Sequence, residues 1–497
     1  MGRFTFHPYQ CPDLESLMAL AYLDSPLGCG SDMRAVVADD RIEIVREDES
    51  TDSAYLHMPW DVKGIGRVTL STATLMMREQ PYILPVELAR GMLGRLRLQY
   101  AQWTEAGLDI PESIQVLLAE AMQHFRHAVT TPPSDEQQID EAAESAQKAI
   151  RLAAQLDLKL AQTYTLQAME VRRRLTERLN SLVAVRMSEI PPEEDRPLIE
   201  RACNAITIPI DWRTIEPAET EYDWTELQAR FRWAQETGKM IVAGPLVRLD
   251  RWLMPDWLEP WLDSPEAIGA AVGEFVGELV HRFRGIPVMW NLCESFNAIT
   301  GALALSLQDR ASILAEIADA VRRNDPSAKR LLTIDQPFKE YVATPSCRAV
   351  PVYLADALMK SELELDGVIL QMDVGFAGDQ GTHLRLPAEI SEMLDDWSEL
   401  EVPIFVSLTL PSDTFEDPLS DRKPTIIPPD ASPETQAQWL ERYLPLLMVK
   451  ACVKGVFIGG WRDEMPHDHP HTGLIDFGGD QKPALKVLTD FRESTTI

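Results

Sequence analysis

The pattern of apolar and polar positions changes its period along the first part of the chain. Up to about residue 80, short alternating runs such as RIEIV (41–45), SAYLHM (53–58) and GRVTLSTATLMM (66–77) are typical of β-strands. From about Leu84 the apolar residues recur at helical spacing, in VELARGMLGRLRLQYAQW and then IPESIQVLLAEAMQHFRHAV. A further helical segment runs to about Leu179, and we expect Ser134 to cap it.

After Ser181 short apolar strands alternate with amphipathic helices over about three hundred residues, the length and rhythm of a TIM barrel. Eight strands are predicted: 181–187, 205–212, 240–247, 287–294, 330–337, 367–373, 403–410 and 455–461. The sequence therefore predicts an α/β fold in three parts. They are a β-rich domain over residues 1–82, a helical connector over 83–180, and a (β/α)₈ barrel over 181–497.

The net charge of the chain excludes some classes of binding partner. Lys and Arg number 47 against 78 Asp and Glu, a net charge of -31, which would repel nucleic acid and anionic membranes. We expect neither as a partner. The start has no basic and apolar leader and the chain has no uninterrupted apolar span, so a cytoplasmic location is expected. Six scattered cysteines without a CxxC pair are expected to be reduced thiols.

Polar residues end most of the predicted barrel strands. In a (β/α)₈ barrel these strand ends line the site at the mouth. Among them are Asp211, Glu294, Ser295, Asp335, Gln336, Gln371, Asp373, Asp463 and Glu464, with Trp212, Trp252, Trp257, Trp290 and Trp461 nearby. Carboxylates, amides and aromatic rings together suit polyhydroxylated sugar rings, whose faces are apolar and whose edges form hydrogen bonds.

Several fragments of this second part, in the same order, resemble motifs of glycoside hydrolase family 10, the xylanase family. ITIPIDWRTIEPAETEYDWTELQARFRWAQETGKMIVAGPLV is similar to that family's second strand, W-x-x-x-E-P turn and third strand. LDGVILQMD and VPIFVSLTL are similar to its sixth and seventh strands, and VFIGGWRDE with TGLIDFGGDQKPAL to its last strand and closing segment. The resemblance spans about residues 182–490 and implies a barrel that acts on β-1,4-linked polysaccharides.

The chain departs from the family at the catalytic positions. Leu408 stands where the family has its nucleophilic glutamate, and matching Trp290 to the tryptophan of W-D-V-V-N-E puts Ser295 at the acid/base glutamate. Glu294 lies one residue earlier. The family's sugar-binding histidines correspond to Gly244, Leu249 and Asp373. Since glycosidases need a pair of carboxyl groups, either a different pair acts here or the barrel binds without cleaving.

These considerations define the candidate residues. Glu294 is the candidate general acid, with Asp373, Asp335 or Glu464 as partner across the mouth. The candidate sugar-binding residues are Asp211, Trp212, Asn291, Asp335, Gln336, Gln371 and Trp461. The predicted ligand is an oligosaccharide or polysaccharide. The alternatives are an inactive scaffold or protein-interaction module, and unrelated chemistry, because barrels host many reactions.

Two further features leave alternatives open. His467, His469 and His471 alternate in the loop after the last strand and could bind a divalent metal, or could simply form hydrogen bonds in a polar loop; no other cofactor is expected. The N-terminal half is interpreted as a packing or protein-interaction module. Alternatively, it is a carbohydrate-binding sandwich that uses Tyr9, Tyr55 and Trp60.

Overall fold

The structure is a computed structural model that describes residues 2–7, 13–25, 30–31, 33–38, 41–46, 53–175, 181–298, 303, 305–343, 349–375, 382–415, 430–463 and 469–495. Within these ranges no helix is long and apolar enough to span a membrane. Cys203, Cys293 and Cys452 carry free thiols.

The N-terminal region is rich in antiparallel β-structure, as predicted. Its elements in chain order are β1 (Gly2–Phe6), α1 (Leu14–Ala19), β2 (Tyr22–Asp24), β3 (Gly30–Ser31), β4 (Met33–Ala38), β5 (Arg41–Arg46), β6 (Ser53–Val62), β7 (Gly66–Ser71) and β8 (Leu75–Met76). One sheet has the order β1-β5-β4, and the other has the order β3-β2-β6-β7 with β8 beside β6. In β5 the alternation buries Ile42 and Ile44 against Phe6 and Phe4 of β1.

Three long helices follow, as the change of period predicts. They are α2 (Leu84–Glu105), α3 (Glu112–Thr130) and α4 (Glu136–Leu175). The cap of α4 differs from the expected one, because the Asp135 carboxylate, one residue after Ser134, accepts the backbone N–H of Gln138 at 2.9 Å.

The described residues after Ser181 form ten strands, and eight of them close a parallel barrel. They are β9 (Leu182–Arg186), β10 (Ala205–Ile208), β11 (Met240–Ala243), β12 (Val247–Arg248), β13 (Met289–Asn291), β14 (Cys293–Glu294), β15 (Lys329–Asp335), β16 (Gly367–Asp373), β17 (Ile404–Thr409) and β18 (Val453–Ile458). The short strands β12 and β14 pair only with each other, while the rest follow chain order around the barrel and β18 pairs with β9. The predicted (β/α)₈ barrel is confirmed.

Helices surround this barrel. They are α5 (Arg196–Ala202), α6 (Trp212–Ile215), α7 (Thr225–Glu236), α8 (Pro265–Arg282), α9 (Leu307–Asn324), α10 (Pro351–Met359), α11 (Pro387–Ser398), α12 (Pro433–Val449) and α13 (Pro483–Thr495). Side-chain hydroxyls fix several of their starts: Ser264, Ser306 and Ser432 each accept a backbone N–H of the first turn of α8, α9 and α12.

The barrel has two separate apolar layers because its strands alternate their faces. A small inner cluster takes side chains from around the barrel: Leu182, Ala184, Ala205, Val242, Leu331, Ile369, Phe405 and Phe457, with Met289 against them. The residues between them, such as Val368, Leu370, Val406 and Leu408, pack outward in the large core beneath the helices. This two-residue period decides which polar side chains reach the mouth.

The N-terminal half packs directly on the barrel. The Thr69 amide of β7 donates to Leu384 O at 2.8 Å, and the Asp157 carboxylate of α4 accepts the Ala388 N–H of α11 at 3.0 Å. Trp60, proposed above as a sugar-stacking residue, is buried in this core. A packing role is therefore visible, whereas a protein partner for this half stays a prediction.

Candidate ligand site at the barrel mouth

Polar side chains replace apolar ones at the inward positions where the strands end. On β16 the inward-facing positions after Ile369 are occupied by Gln371 and Asp373. On β17 the inward-facing positions after Phe405 are occupied by Ser407 and Thr409. β13 contributes Asn291 and β15 contributes Thr333, whose hydroxyl donates to Asn291 Oδ1 at 3.0 Å. Since these strands are parallel, their polar ends converge at one face of the barrel.

Glu294 is brought to this face by the short pair of strands above the barrel. The register of β12 and β14 sets Arg248 opposite Glu294, and Arg248 Nε lies 3.3 Å from Glu294 Oε2. Both side chains are buried. Glu294, which the sequence analysis predicted to be the general acid, is thus held in an ion pair with Arg248.

The chain turns after Glu294, and residues at the end of β15, the fifth barrel strand, hold this turn in place. Asp335 Oδ2 accepts the Ser295 N–H at 3.0 Å, and Ser295 has a left-handed backbone with φ 58. The Asn297 side chain bonds the Asp335 backbone twice, accepting its N–H at 2.9 Å and donating to its carbonyl at 2.8 Å. Asp335 therefore shapes the loop that carries Glu294, and does not reach into the mouth cavity.

Gln371 joins the two central carboxylates. Its amide nitrogen donates to Glu294 Oε1 at 2.7 Å and also to Asp373 Oδ2. A single shared donor keeps the two carboxylates within about two hydrogen-bond lengths of each other, roughly 6 Å or less. We call Arg248, Glu294, Gln371, Asp373 and His469 the mouth cluster.

Asp373 also contacts a histidine. Nε2 of His469, from the loop after the last strand, lies 3.2 Å from Asp373 Oδ2. Burial alone would raise the pKa of Asp373, but the neighbouring His469 and the hydrogen bonds from His469, Thr409 and Gln371 hold that pKa well below its ordinary value. Asp373 is therefore a carboxylate anion at neutral pH.

The cavity over the mouth cluster is small. It measures about 50 Å³ and is lined by the inward strand ends together with Arg186, Gly244 and His469. Since one ordered water needs roughly 10–15 Å³, this space holds a few waters and not a sugar ring. Gly244 allows the chain after β11 to lie close to Asn291 in the wall of this cavity, because a Cβ at residue 244 would lie 2.4 Å from Asn291 O.

A much larger cleft adjoins it. The loops after β9, β10 and β11 and the start of α7 enclose about 600 Å³, within the roughly 300–1,000 Å³ of small-molecule sites. Arg186 lines both spaces, and Arg248 lines the cleft while it pairs with Glu294. The cleft has an apolar side at Ile210, Leu246 and Leu253, and charged edges at Glu189, Asp211 and Arg213.

The predicted sugar-binding residues divide between these spaces and the core. Asn291 and Gln371 line the mouth cavity, and Asp211 lines the cleft, where it also accepts the Thr214 N–H that starts α6. Trp212 borders the cleft but is only 3% exposed, stacked on Phe275 and bonded to Glu216. Gln336 is buried at the turn after β15.

Trp461 does not present a face to a ligand in this arrangement. It is 3% exposed, and its Nε1 donates to Asp195 at 2.8 Å, which ties the last loop of the barrel to the first. Asp211, Glu294, Gln371 and Trp461 therefore do not share one cleft: Asp211 lines the cleft, Glu294 and Gln371 line the mouth cavity, and Trp461 is buried. Its polar atom and its ring both have structural partners.

The positions assigned by motif matching need one correction. Leu408 packs outward among the core residues beneath the helices, so it does not occupy a catalytic position of the mouth. The side chains of β17 that do face the mouth are Ser407 and Thr409, and neither is a carboxylate. Ser295 contributes its backbone to the loop described above.

The histidine and acidic residues of the last loop are described in part. Glu464 and His467 lie outside the described residues. His469 contacts Asp373, whereas a ring nitrogen of His471 lies 3.1 Å from Phe415 O, so these two histidines do not share a site. In the described part of the chain, no group of three or more His, Cys, Asp or Glu could hold a metal ion.

Sequence reasoning missed Arg186 and Arg248. Both end barrel-associated strands, Arg186 in LVAVR and Arg248 in VR. The carboxylates were selected because they lie at the ends of predicted barrel strands. The same criterion applied to cations would have found both arginines, since each is the charged residue that follows a run of apolar residues.

Comparison with known proteins supports the fold. No family model matches the chain, and no curated protein sequence matches it. Among solved structures, xylanase 10B from Thermotoga maritima is 16% identical with a TM-score of 0.50, covering 65% of this chain and 98% of that one. Xylanase 10B from Thermotoga petrophila in complex with xylobiose is also 16% identical, with the same TM-score and 65% of this chain matched to 97% of that one. Residues 181–495 therefore form a (β/α)₈ barrel of the kind found in family 10 xylanases.

Proposed function

We propose that this chain is a carbohydrate-binding barrel that holds an oligosaccharide in the 600 Å³ cleft beside the mouth cluster and does not cleave it efficiently. One observation carries the proposal: an open cleft with apolar and charged walls leads to two carboxyl groups that already have polar partners, Glu294 with Arg248 and Asp373 with His469 and Gln371.

The walls of the cleft suit a neutral polyhydroxylated ligand. Exposed carboxylates and a guanidinium at its edge offer acceptors and donors for hydroxyl groups, while the aliphatic side receives the apolar face of a ring. A barrel of the same fold has been crystallised with xylobiose. Xylo-oligosaccharides are therefore the first ligands to test.

Efficient hydrolysis is disfavoured by the state of the carboxylates. Glycosidases need one carboxyl group that donates a proton to the leaving oxygen. Asp373 is held ionised, since its pKa lies below the ordinary range. Glu294 is ion-paired with Arg248 and bonded to Gln371. Both groups are therefore held by polar partners, and Ser407 and Thr409 supply no third carboxylate from β17.

A second candidate function, slow retaining hydrolysis, has one specific observation in its favour. The shared Gln371 amide keeps Glu294 and Asp373 close, and retaining glycosidases hold their carboxyl groups roughly 5–5.5 Å apart. In that case Glu294 would act as acid and base, Asp373 as nucleophile, and Gln371 would have to leave its bridging position.

Titration calorimetry and a reducing-sugar assay test both functions. We expect saturable heat with xylo- or cello-oligosaccharides and no release of reducing ends from xylan or β-glucan. Turnover that disappears in Glu294→Gln while oligosaccharide binding persists would establish the second function instead. Absence of heat across xylo-, cello-, manno- and laminari-oligosaccharides would overturn the proposal and favour a scaffold or protein-interaction role.

A further inference from the structure

The two sides of the barrel mouth differ in how far they are covered. Over the first three barrel strands, Glu189, Asp211 and Arg213 are exposed and face the open cleft. Over the fifth and sixth strands, most of the described loop residues are buried, among them Glu340 and Tyr341 after β15 and Leu384 and Arg385 after β16, while Phe338 and Lys339 are half-buried.

The N-terminal region provides this cover. The Tyr22 hydroxyl of β2 donates to Phe338 O at 3.1 Å, and the Thr69 amide of β7 donates to Leu384 O at 2.8 Å. At the start of β7, Gly66 lies against Asp430, which precedes α12, so that a Cβ on Gly66 would lie 2.8 Å from an Asp430 carboxylate oxygen. Segments before residue 72 thus lie on the loops that follow three adjacent barrel strands.

A buried charge network fixes the cover in place. Arg385 donates to the Tyr22 hydroxyl at 2.7 Å and lies 3.3 Å from a Glu340 carboxylate oxygen. Lys339 Nζ lies 3.6 Å from Asp24 Oδ2. Arg385 and Glu340 both belong to the barrel, so the contacts that cross the two surfaces are the Arg385–Tyr22 hydrogen bond and the partly exposed Lys339–Asp24 ion pair. Together they resist separation of the two surfaces. We call the surface formed by residues 338–341 and 382–385 the covered rim.

We infer from this asymmetry that the site takes short oligosaccharides or one end of a polysaccharide chain, entering over the first three barrel strands. An internal stretch of a polysaccharide needs a groove that is open at both sides of the mouth, and here the covered rim closes the side opposite the cleft. The inference rests on the proposed function, since it specifies the ligand of the same cleft.

Chain-length dependence tests it on the full-length protein. Calorimetry with borohydride-reduced xylo- and cello-oligosaccharides, from disaccharide to octasaccharide, should show affinity that rises over the first few rings and then stays constant. Binding capacity per gram of soluble xylan should increase in proportion to new chain ends after partial hydrolysis. Affinity that still rises at the octasaccharide, or capacity that does not depend on chain ends, would overturn the inference but leave the proposed function standing. No heat with any saccharide would remove the proposed function itself.

Two variants test whether the ligand lies only on the cleft side of the mouth. Arg213→Ala, in the cleft, should weaken binding several-fold at every length. Lys339→Ala, in the covered rim, should leave binding unchanged at every length. A loss confined to long oligosaccharides in Lys339→Ala would show that the ligand crosses the rim, which contradicts one-sided binding.

Discussion

Two buried polar networks in this molecule are built from similar groups but differ in access. The mouth cluster pairs Arg248 with Glu294 and His469 with Asp373 around one amide. The second network lies between the N-terminal region and the barrel, and we call it the interface network. It comprises Tyr22, Asp24, His57, Ser71, Lys339, Glu340 and Arg385. In the described part of the chain, the mouth cluster borders a cavity that connects to an open cleft through shared residues, whereas Tyr22, Ser71 and Glu340 of the interface network are buried.

The interface network shows why residue types alone do not define a site. His57 Nδ1 lies 2.7 Å from the Ser71 hydroxyl, and His57 Nε2 lies 2.9 Å from Asp24. These are the residue types of a serine-hydrolase triad. However, His57 is the direct cross-strand neighbour of both Ser71 and Tyr22, and Ser71 is buried. The three residues therefore join neighbouring strands, and we interpret their contacts as structural.

The largest expected effect comes from breaking the interface network at its centre. Arg385→Met should destabilise the protein by about 3–5 kcal/mol, because Glu340 would remain buried without its cation. Chemical denaturation at neutral pH measures this loss.

An exposed ion pair provides the matched control. Lys360 and Asp356 are 2.7 Å apart on the surface of α10, and Lys360→Ala should change stability by less than about 1 kcal/mol. If Arg385→Met costs no more than this control, the Arg385–Glu340 pair does not stabilise the fold.

The next effect concerns Asp157, a buried carboxyl group of α4 that accepts the Ala388 N–H at the start of α11. Burial raises the pKa of Asp157 to about 8. The folded state therefore keeps a proton that the unfolded chain releases near pH 4, and stability falls as the pH rises between these values. Asp157→Asn keeps an acceptor for the Ala388 N–H and removes this dependence.

The variant should therefore be more stable than wild type by roughly 2–4 kcal/mol near pH 8, with little difference near pH 4. Thermal melts over this pH range measure the gap. A gap that stays constant with pH would mean that Asp157 titrates normally, and a variant less stable at pH 8 would show that the charged form is the stabilising one.

The barrel could be predicted from the sequence because parallel barrel strands are continuous apolar runs separated by amphipathic helices. All eight predicted strands overlap the observed ones. The polar strand ends Asn291, Gln371 and Asp373 were found for the same reason.

The partners of these groups could not be predicted in the same way. His469 comes from a loop about a hundred residues after Asp373, and Arg248 reaches Glu294 through the pairing of two-residue strands. Trp212 and Trp461 were chosen for their rings, yet whether a ring stacks on a ligand or on the core depends on packing between distant segments. Leu408 was misplaced because a motif match fixes the strand but not which face of it a residue occupies.

A smaller effect is expected in the mouth cluster. Contacts with His469, Thr409 and Gln371 lower the pKa of Asp373 below its unfolded value, so they stabilise the fold above about pH 4 and are lost as the pH falls toward the folded-state pKa. Asp373→Asn should cost about 1–3 kcal/mol at neutral pH, and the difference from wild type should narrow below pH 4. Denaturation at both pH values measures it. A difference that widens on acidification would contradict the ion pair with His469.

The smallest effect on stability is expected at Ser71, and this test compares the two networks by whether a substrate can reach them. Ser71→Ala removes a buried hydroxyl that bonds His57, and a single neutral hydrogen bond contributes about 1 kcal/mol. We therefore expect a slight fall in the melting temperature and an unchanged background rate of p-nitrophenyl acetate hydrolysis. His57→Gln is the matched variant, because it removes the imidazole while an amide can still bond Asp24 or Ser71. Loss of ester hydrolysis in both variants would show that substrate reaches Ser71, and access would then no longer distinguish the interface network from the mouth cluster.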